Sequence, residues 1–489
     1  MSLSPAAPVI PTPPPERLPV RLKVVHGFGS IAYGVKENGF ATFLLLFYNQ
    51  VVGLDAGLVG TAIMVALIAD AFVDPVIGEL TDRTQTRWGR RLPWLYGAPI
   101  PLAFAWMALW HPPEASDAMT IVWLVGWAIV VRSLVSMCEV PSIALVPELT
   151  GDYDERTILM RYRFLFGWAG GLLILILAYA VFFRAAGETD PAGYAAYSLT
   201  GAVLMAGAVL LSAAGQHKRI AKPSPPLPAN TGGLRQIAGE MRQTLSNRAF
   251  LWLVFAALFS FVNQGIAFSL SNYMIGFLWL FDQAEKTAYA LILFGTMIAA
   301  FFVVAPLARR LGKRQAAIFS GLASISFNTL LYLLYVFDVF PEVAGKPSVL
   351  LVFAIIFMSN TFGIALMILS SSMMADVVEA SQSETGRRSE GLFFAGYFFM
   401  QKCATGIGIF IAGIILSSAA FPRSAAPGQV TQGVLDGLAL GYVTAILVIG
   451  ATGLLVLRRF PINRADHEAR LAKLDAEARG DIDGTRILP

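Results

Sequence analysis

Asp70 and Asp74 stand four residues apart inside an apolar run, IADAFVDPVIGELTDRTQTRWGRRLP (68–93), that ends in Arg83, Arg87, Arg90 and Arg91. On a helix that spacing puts both carboxylates on one face. A charge at the centre of a bilayer costs about 2.5 to 3.5 kcal/mol even on the lenient insertion scales, so two on one face belong against a polar interior rather than lipid. Carboxylates held there can take a cation or a proton. The plainer alternative makes Asp74-Pro75 a kink device and Asp70 its packed neighbour, but a kink needs no second acid. Other ionisable residues lie deep in apolar stretches: Lys36, Glu37, Arg132, Glu139, Arg163 and Lys402. Arg132 and Glu139 are seven apart, two turns along one face. Lys36 and Glu37 are adjacent and diverge by about 100° around a helix, so only one of them points at a common centre. Arg163 lies near one end of its stretch and can snorkel; Lys402, in GYFFMQKCATGIGIFIAG, is too deep to do so. Before residue 217 these make four acids (Glu37, Asp70, Asp74, Glu139) against three bases (Lys36, Arg132, Arg163). The unmatched negative charge is a vacancy that a cation or proton fills, and Lys402 from later in the chain balances the set and competes for it.

The elements that must carry these residues follow from composition. The 489 residues are 56% hydrophobic and 14% charged, with a mean hydropathy of +0.64, which leaves too little polar surface for a soluble protein of this size. A polytopic, all-α membrane protein is expected. The formal charge of +4 resides in short basic loops, which speaks for orientation in a membrane and against nucleic-acid binding. Cys138 and Cys403 both fall in apolar segments, so no disulfide framework is expected.

Twelve stretches are long enough to span, at 28–50, 58–80, 94–110, 118–146, 162–183, 193–215, 249–281, 287–308, 315–337, 349–374, 391–418 and 434–457. Lys and Arg fall in alternate loops, which sets both termini in the cytosol. The polar, basic stretch 217–248 divides two six-helix bundles, 25–216 and 249–457, flanked by a proline-rich tail (1–24) read as cytosolic rather than as a cleaved signal, and a charged tail (458–489). The loop LTDRTQTRWGRR after the second span has a weak counterpart, LARRLGKRQ, after the eighth. There Asp82 with Arg83, Arg87, Arg90 and Arg91, and Arg309 with Arg310, are expected to form a gating network. Six plus six helices with matched basic turns resembles the architecture of the major facilitator superfamily.

Three segments resemble the glycoside-pentoside-hexuronide:cation symporter family: DAFVDPVIGELTDRTQTRWGRRLPW, CEVPSIALVPELT and ADVVEASQSETGRRSEGLFFA. The resemblance covers essentially all twelve stretches. It implies a cation-coupled carrier of a sugar, glycoside or hexuronide, with no covalent step and no cofactor beyond the coupling cation, in the cell (inner) membrane. By the same resemblance Asp70 and Asp74 correspond to the cation carboxylates, Asp74 being the more strictly required. Glu139 and Arg163 correspond to sugar-site charges, and Lys402 to a lysine coupling the two bundles. Three departures matter. Val73 stands where sodium-coupled members have asparagine, leaving Ser136 as the added oxygen and tilting coupling from Na⁺ toward H⁺. Gly34 replaces a sugar-binding aspartate, and Ile143 replaces a stacking tryptophan. Lys36 and Arg132 add positive charge, which would suit a carboxylated solute. Two alternatives are a lysolipid carrier of the same fold and a metal-dependent prenyltransferase; the latter needs a different acidic spacing and a second acidic motif that this chain lacks.

Overall fold

Most of the apolar stretches form single helices, some with a proline inside them, as at Pro75 and Pro141. The computed structural model describes residues 18–150, 152–184, 187–221, 247–343, 346–385 and 390–461. Most of the 217–248 linker, most of the proline-rich tail, Arg387, Arg388 and the charged tail from residue 462 lie outside these.

The first stretch is helical but broken: α1 (Val20–Phe28), α2 (Ile31–Asn38), a π-helical turn at Gly39–Phe43, the short α3 (Leu44–Leu46) and a second π-helical turn at Phe47–Val51. Next comes α4 (Ala56–Arg83), capped by Asp55, whose carboxylate accepts the Leu58 N–H at 3.1 Å. The third stretch is split by Pro99 into α5 (Leu92–Gly97) and α6 (Pro99–Leu109). Then follow α7 (Asp117–Ala144), the one-turn α8 (Val146–Leu149), α9 (Tyr153–Leu177) with a π-helical turn at Ala178–Phe182, and α10 (Pro191–Ile220). The later half contains α11 (Arg248–Tyr273), a π-helical turn at Met274–Leu278, α12 (Gln283–Leu311), α13 (Lys313–Val336), α14 (Val349–Thr385), α15 (Glu390–Ser418) and α16 (Gln432–Leu457). A two-residue antiparallel pair, β1 (Glu342–Val343) with β2 (Lys346–Pro347), is the one departure from helix among the described regular elements.

Ten helices among the described residues are long and apolar enough to cross a membrane. The two expected spans that are not single long helices are those at 28–50 and 94–110, and the reason is local. The first is interrupted by a turn at Gly29–Ser30 and by π-helical turns at Gly39–Phe43 and Phe47–Val51, while inside α2 an added Cβ at Gly34 would sit 1.8 Å from the Gly167 carbonyl oxygen of α9, so the two backbones touch. In the second, Pro93 and Pro99 each start a new helix.

The helix that matters most for the site is α4, which packs against α7 of its own half and against α15 of the other. Small residues let α15 come this close. A Cβ on Gly413 would meet the Ala56 carbonyl oxygen of α4 at 2.4 Å, and one on Gly408 would meet the Val262 carbonyl oxygen of α11 at 2.3 Å. So α15 is wedged between α4 and α11 and brings Lys402 to the Asp70 level of α4.

Candidate cation and substrate site

Along α7, Arg132, Ser136 and Glu139 fall at intervals of four and three, so they share the face turned to α4. Opposite them, Pro75 denies α4 one backbone bond one residue after Asp74. Asp70 Oδ2 accepts from Arg132 Nε at 2.9 Å and Nη2 at 2.8 Å, and lies 2.8 Å from Lys402 Nζ. Lys402 Nζ also donates to Asp74 Oδ2 at 2.5 Å. Ser136 Oγ sits between the remaining carboxylate oxygens, 2.6 Å from Asp74 Oδ1 and 3.1 Å from Asp70 Oδ1. A hydroxyl has one hydrogen to give. It can serve only one of these two oxygens, so the second contact becomes a hydrogen bond when the Asp74 carboxyl carries a proton.

The other charges pair as well. Glu139 accepts from Arg163 Nη2 at 2.5 Å, and the same guanidinium reaches Ser142 Oγ at 2.5 Å. Glu37 is bonded by Lys36 and lies 4.0 Å from Arg132 Nη2. The four acids and four bases thus form four couples: Glu37 with Lys36, Asp70 with Arg132, Asp74 with Lys402, and Glu139 with Arg163. The carboxylate left over in the first half is met by the lysine of the second.

Within the couples the accessible member is mostly the acid. Side-chain exposure is 35% for Glu37, 33% for Asp74 and 24% for Glu139, against 3% for Lys36, 1% for Arg132 and 4% for Arg163. Lys402 is intermediate at 19%, and Asp70 is sealed at 1%. Charged groups are not left facing lipid, so the exposed edges mark a wall of acceptors toward the interior, with the bases set behind them. Of the candidate residues, Asp74, Ser136, Glu139 and Lys402 line or adjoin this wall, while Lys36, Arg132 and Arg163 stand behind it. Gly34 can hold no side chain, so the aspartate of the melibiose-type pattern has no place there. Ile143 is exposed.

Bonds between the two halves of the chain gather on the face away from the basic loops. Lys286 Nζ lies 2.8 and 2.9 Å from the two Glu188 oxygens, both residues buried. Tyr179 donates to Asn272 at 2.5 Å, Asn272 to the Thr42 carbonyl at 2.9 Å, Tyr273 to Asn49 at 2.8 Å, and Gln50 to the Pro422 carbonyl at 3.0 Å. On the basic-loop face the pairs named next stay within one half. Asp82 accepts from Arg91, which also donates to Thr81 at 2.6 Å; Arg90 bonds Glu148 at 2.8 Å; Lys313 bonds Asp376 at 2.5 Å. Of the remaining gating candidates, Arg83 pairs with exposed Glu79, Arg87 stacks over Trp88, and Arg309 and Arg310 are exposed at the end of α12. The partially exposed wall with the opposite face bonded shut describes a site reached from the basic-loop side.

Sequence reasoning gave no site role to Glu37, Ser142, Glu148 or the Glu188–Lys286 pair. Ser142 follows Glu139 by three, a spacing that could have placed it on the same helix face. Glu148 stands in VPELT, where an acid closes an apolar run. Glu188 and Lys286 carry no signal in one dimension, since their meeting depends on how the halves dock.

A model of the MFS/sugar transport protein family matches residues 25–464. The chain belongs to that family. This bears out the resemblance to glycoside-pentoside-hexuronide:cation symporters and makes the protein a multi-pass membrane transporter, not an enzyme. This MFS protein is 26% identical to a symporter of Synechocystis sp. over 95% of its own length and 98% of the relative's. It is 25% identical to the isoprimeverose transporter of Lactiplantibacillus pentosus over 86% and 85%. Among solved structures, the D-xylose-proton symporter superposes with a TM-score of 0.63 at 13% identity, covering 91% of this chain and 98% of that one, which establishes the fold alone.

Proposed function

We propose that this MFS protein is a proton-coupled symporter of a neutral, hydroxyl-rich solute of the glycoside class, working by alternating access and needing no cofactor besides the proton. The observation that carries the reading is the layering of the site, with Glu37, Asp74 and Glu139 partly exposed and Lys36, Arg132 and Arg163 buried behind them. Sugar hydroxyls donate to carboxylates, and charge-assisted bonds of this kind are the stronger ones. The positive charge that would have suited a hexuronide is already engaged by Glu37 and Asp70. An anionic lysolipid headgroup meets the same objection. The name of the isoprimeverose transporter agrees with a glycoside.

A proton is favoured over Na⁺ because Val73 offers no ligand oxygen and because Ser136 is one hydrogen short between its two carboxylates. With the basic loops in the cytosol, the bonded face is extracellular and the site opens inward. Membrane vesicles loaded with imposed pH or Na⁺ gradients and offered a panel of neutral glycosides and hexuronides test the reading. Uptake of a neutral glycoside should follow the pH gradient and collapse with a protonophore. Uptake driven by Na⁺ at constant pH and indifferent to the protonophore would overturn the proton, and a preference for hexuronides would overturn the neutral solute.

A further inference from the structure

Sodium fails a fit test at the cluster of Asp70, Asp74 and Ser136. A hard cation asks for several free oxygens, and here one oxygen of each aspartate is held by a resident cation while the other two share the single Ser136 hydrogen. Asp70 Oδ2 carries Arg132 Nε, Arg132 Nη2 and Lys402 Nζ, all within 2.9 Å. Asp74 Oδ2 carries Lys402, and Ser136 lies against the two remaining oxygens. The two resident cations differ in one respect. Lys402 belongs to α15 of the later half and can part from the aspartates when the halves move. Arg132 belongs to α7, packed against α4 within the same half, and travels with Asp70 in every conformation that moves the halves as units.

The hydrogen bonds of the guanidinium moreover converge on one oxygen, with Glu37 standing off at 4.0 Å. Arg132 is 2% exposed, both Nε and Nη2 address Asp70 Oδ2, and Nη1 is buried with no hydrogen-bond partner among the described residues. The face of Phe40 lies 5.1 Å from its central carbon and holds its plane.

We propose that Arg132 sets the cation specificity of this carrier: its guanidinium is a tethered replacement for a metal ion at Asp70, and it closes the Asp70–Asp74–Ser136 cluster to Na⁺. The inference deepens the cation-coupled reading above and rests on it. In a chain lacking this arginine, the same oxygens would stand free on one side of Asp70, and a sodium ion could take its place. Residue 73 is then a secondary determinant, since an added amide oxygen there is of use only once the guanidinium is gone.

The test reads Na⁺ binding directly on the purified full-length protein, with no solute present. Melting temperature is compared in NaCl, KCl and choline chloride at one pH and ionic strength, because an ion that binds the folded state raises it. Wild type should melt alike in all three. Arg132→Gln should gain a Na⁺-specific upward shift, Arg132→Gln with Val73→Asn a larger one, and Arg132→Lys and Val73→Asn alone should stay blind to Na⁺. A Na⁺-specific shift in wild type overturns the proposal, as does a folded Arg132→Gln, with or without Val73→Asn, that is blind. Should Arg132→Gln be lost on solubilisation in KCl, solubilisation in NaCl is expected to recover it; equal loss in both salts assigns the arginine a structural role and overturns the proposal. An Arg132→Gln variant blind to Na⁺ overturns this inference alone and leaves proton-driven uptake standing, whereas a Na⁺-specific shift in wild type overturns both.

Discussion

Lys402 of the later half of the chain donates to Asp74 of the earlier half at 2.5 Å, across the surface on which the two halves meet. One couple therefore serves both as a contact between the halves and as the most accessible carboxylate of the Asp70–Asp74 cluster. Lys402→Met should destabilise the protein by leaving two carboxylates with one cation, and Asp74→Asn in the same chain should restore much of the loss. With Asp74 a third exposed, solvent screening holds the coupling energy of the cycle to about 1 kcal/mol. Thermal melts of the two single variants and the double variant measure it. Additive losses would mean that the contact carries no energy.

Asp74→Asn should abolish accumulation against a gradient while solute exchange survives, since the amide mimics a protonated acid and Glu139 with Arg163 is left in place. The sequence suggests a milder version of the same for Asp70→Asn, and the structure points the other way. Asp70 is the acid hydrogen-bonded to the Arg132 guanidinium, which is 2% exposed. Stranding a buried charge costs roughly 3 to 5 kcal/mol, so Asp70→Asn should lower expression and melting temperature more than Asp74→Asn does. Counterflow and melting of the two variants side by side decide the order.

In the basic turn, Asp82→Asn and Glu148→Gln should both slow transport several-fold with equilibrium solute binding near normal. Asp82 receives Arg91 and Glu148 receives Arg90, so the two acids hold one turn from opposite ends. Arg83→Gln should do little. Its partner Glu79 is an exposed residue on the same helix, and such pairs contribute about 0 to 1 kcal/mol. Solute binding lost in step with transport would place the turn in the binding site.

The Glu188–Lys286 pair is buried where the halves close. Lys286→Gln should favour the opposite access state. A cysteine in place of Ser269, which is fully buried beneath that face, should then react faster with an impermeant thiol reagent applied from the side away from the basic loops. Cys138 and Cys403 are free thiols and would be replaced first. An unchanged labelling rate would show that the seal does not depend on this pair.

Much of the site could be read in one dimension because buried charge in an apolar stretch is expensive and therefore conspicuous. Asp70, Asp74, Arg132, Glu139 and Lys402 stand out by depth alone, and the spacing of four on α4 and of seven on α7 gives their faces. Which acid meets which base could not be read, because partners lie on different helices. Adjacent Lys36 and Glu37 illustrate the limit: their divergence says that one faces the interior, and only the packing of α2 on α9 reveals that it is Glu37. The fold was legible for the same reason that hydropathy is, save where a turn at Gly29–Ser30 interrupts the first span and Pro99 splits the third. A helix split by a turn or by proline still reads as one apolar run.

Four couples of one acid and one base also make this set of buried charges electrically neutral. A carrier that returns empty then moves no net charge, and the membrane potential does no work on that step. Loaded with one proton and a neutral solute it moves a single positive charge, worth about 2.3 kcal/mol for each 100 mV. Voltage would act on the loaded limb of the cycle and leave the return limb alone.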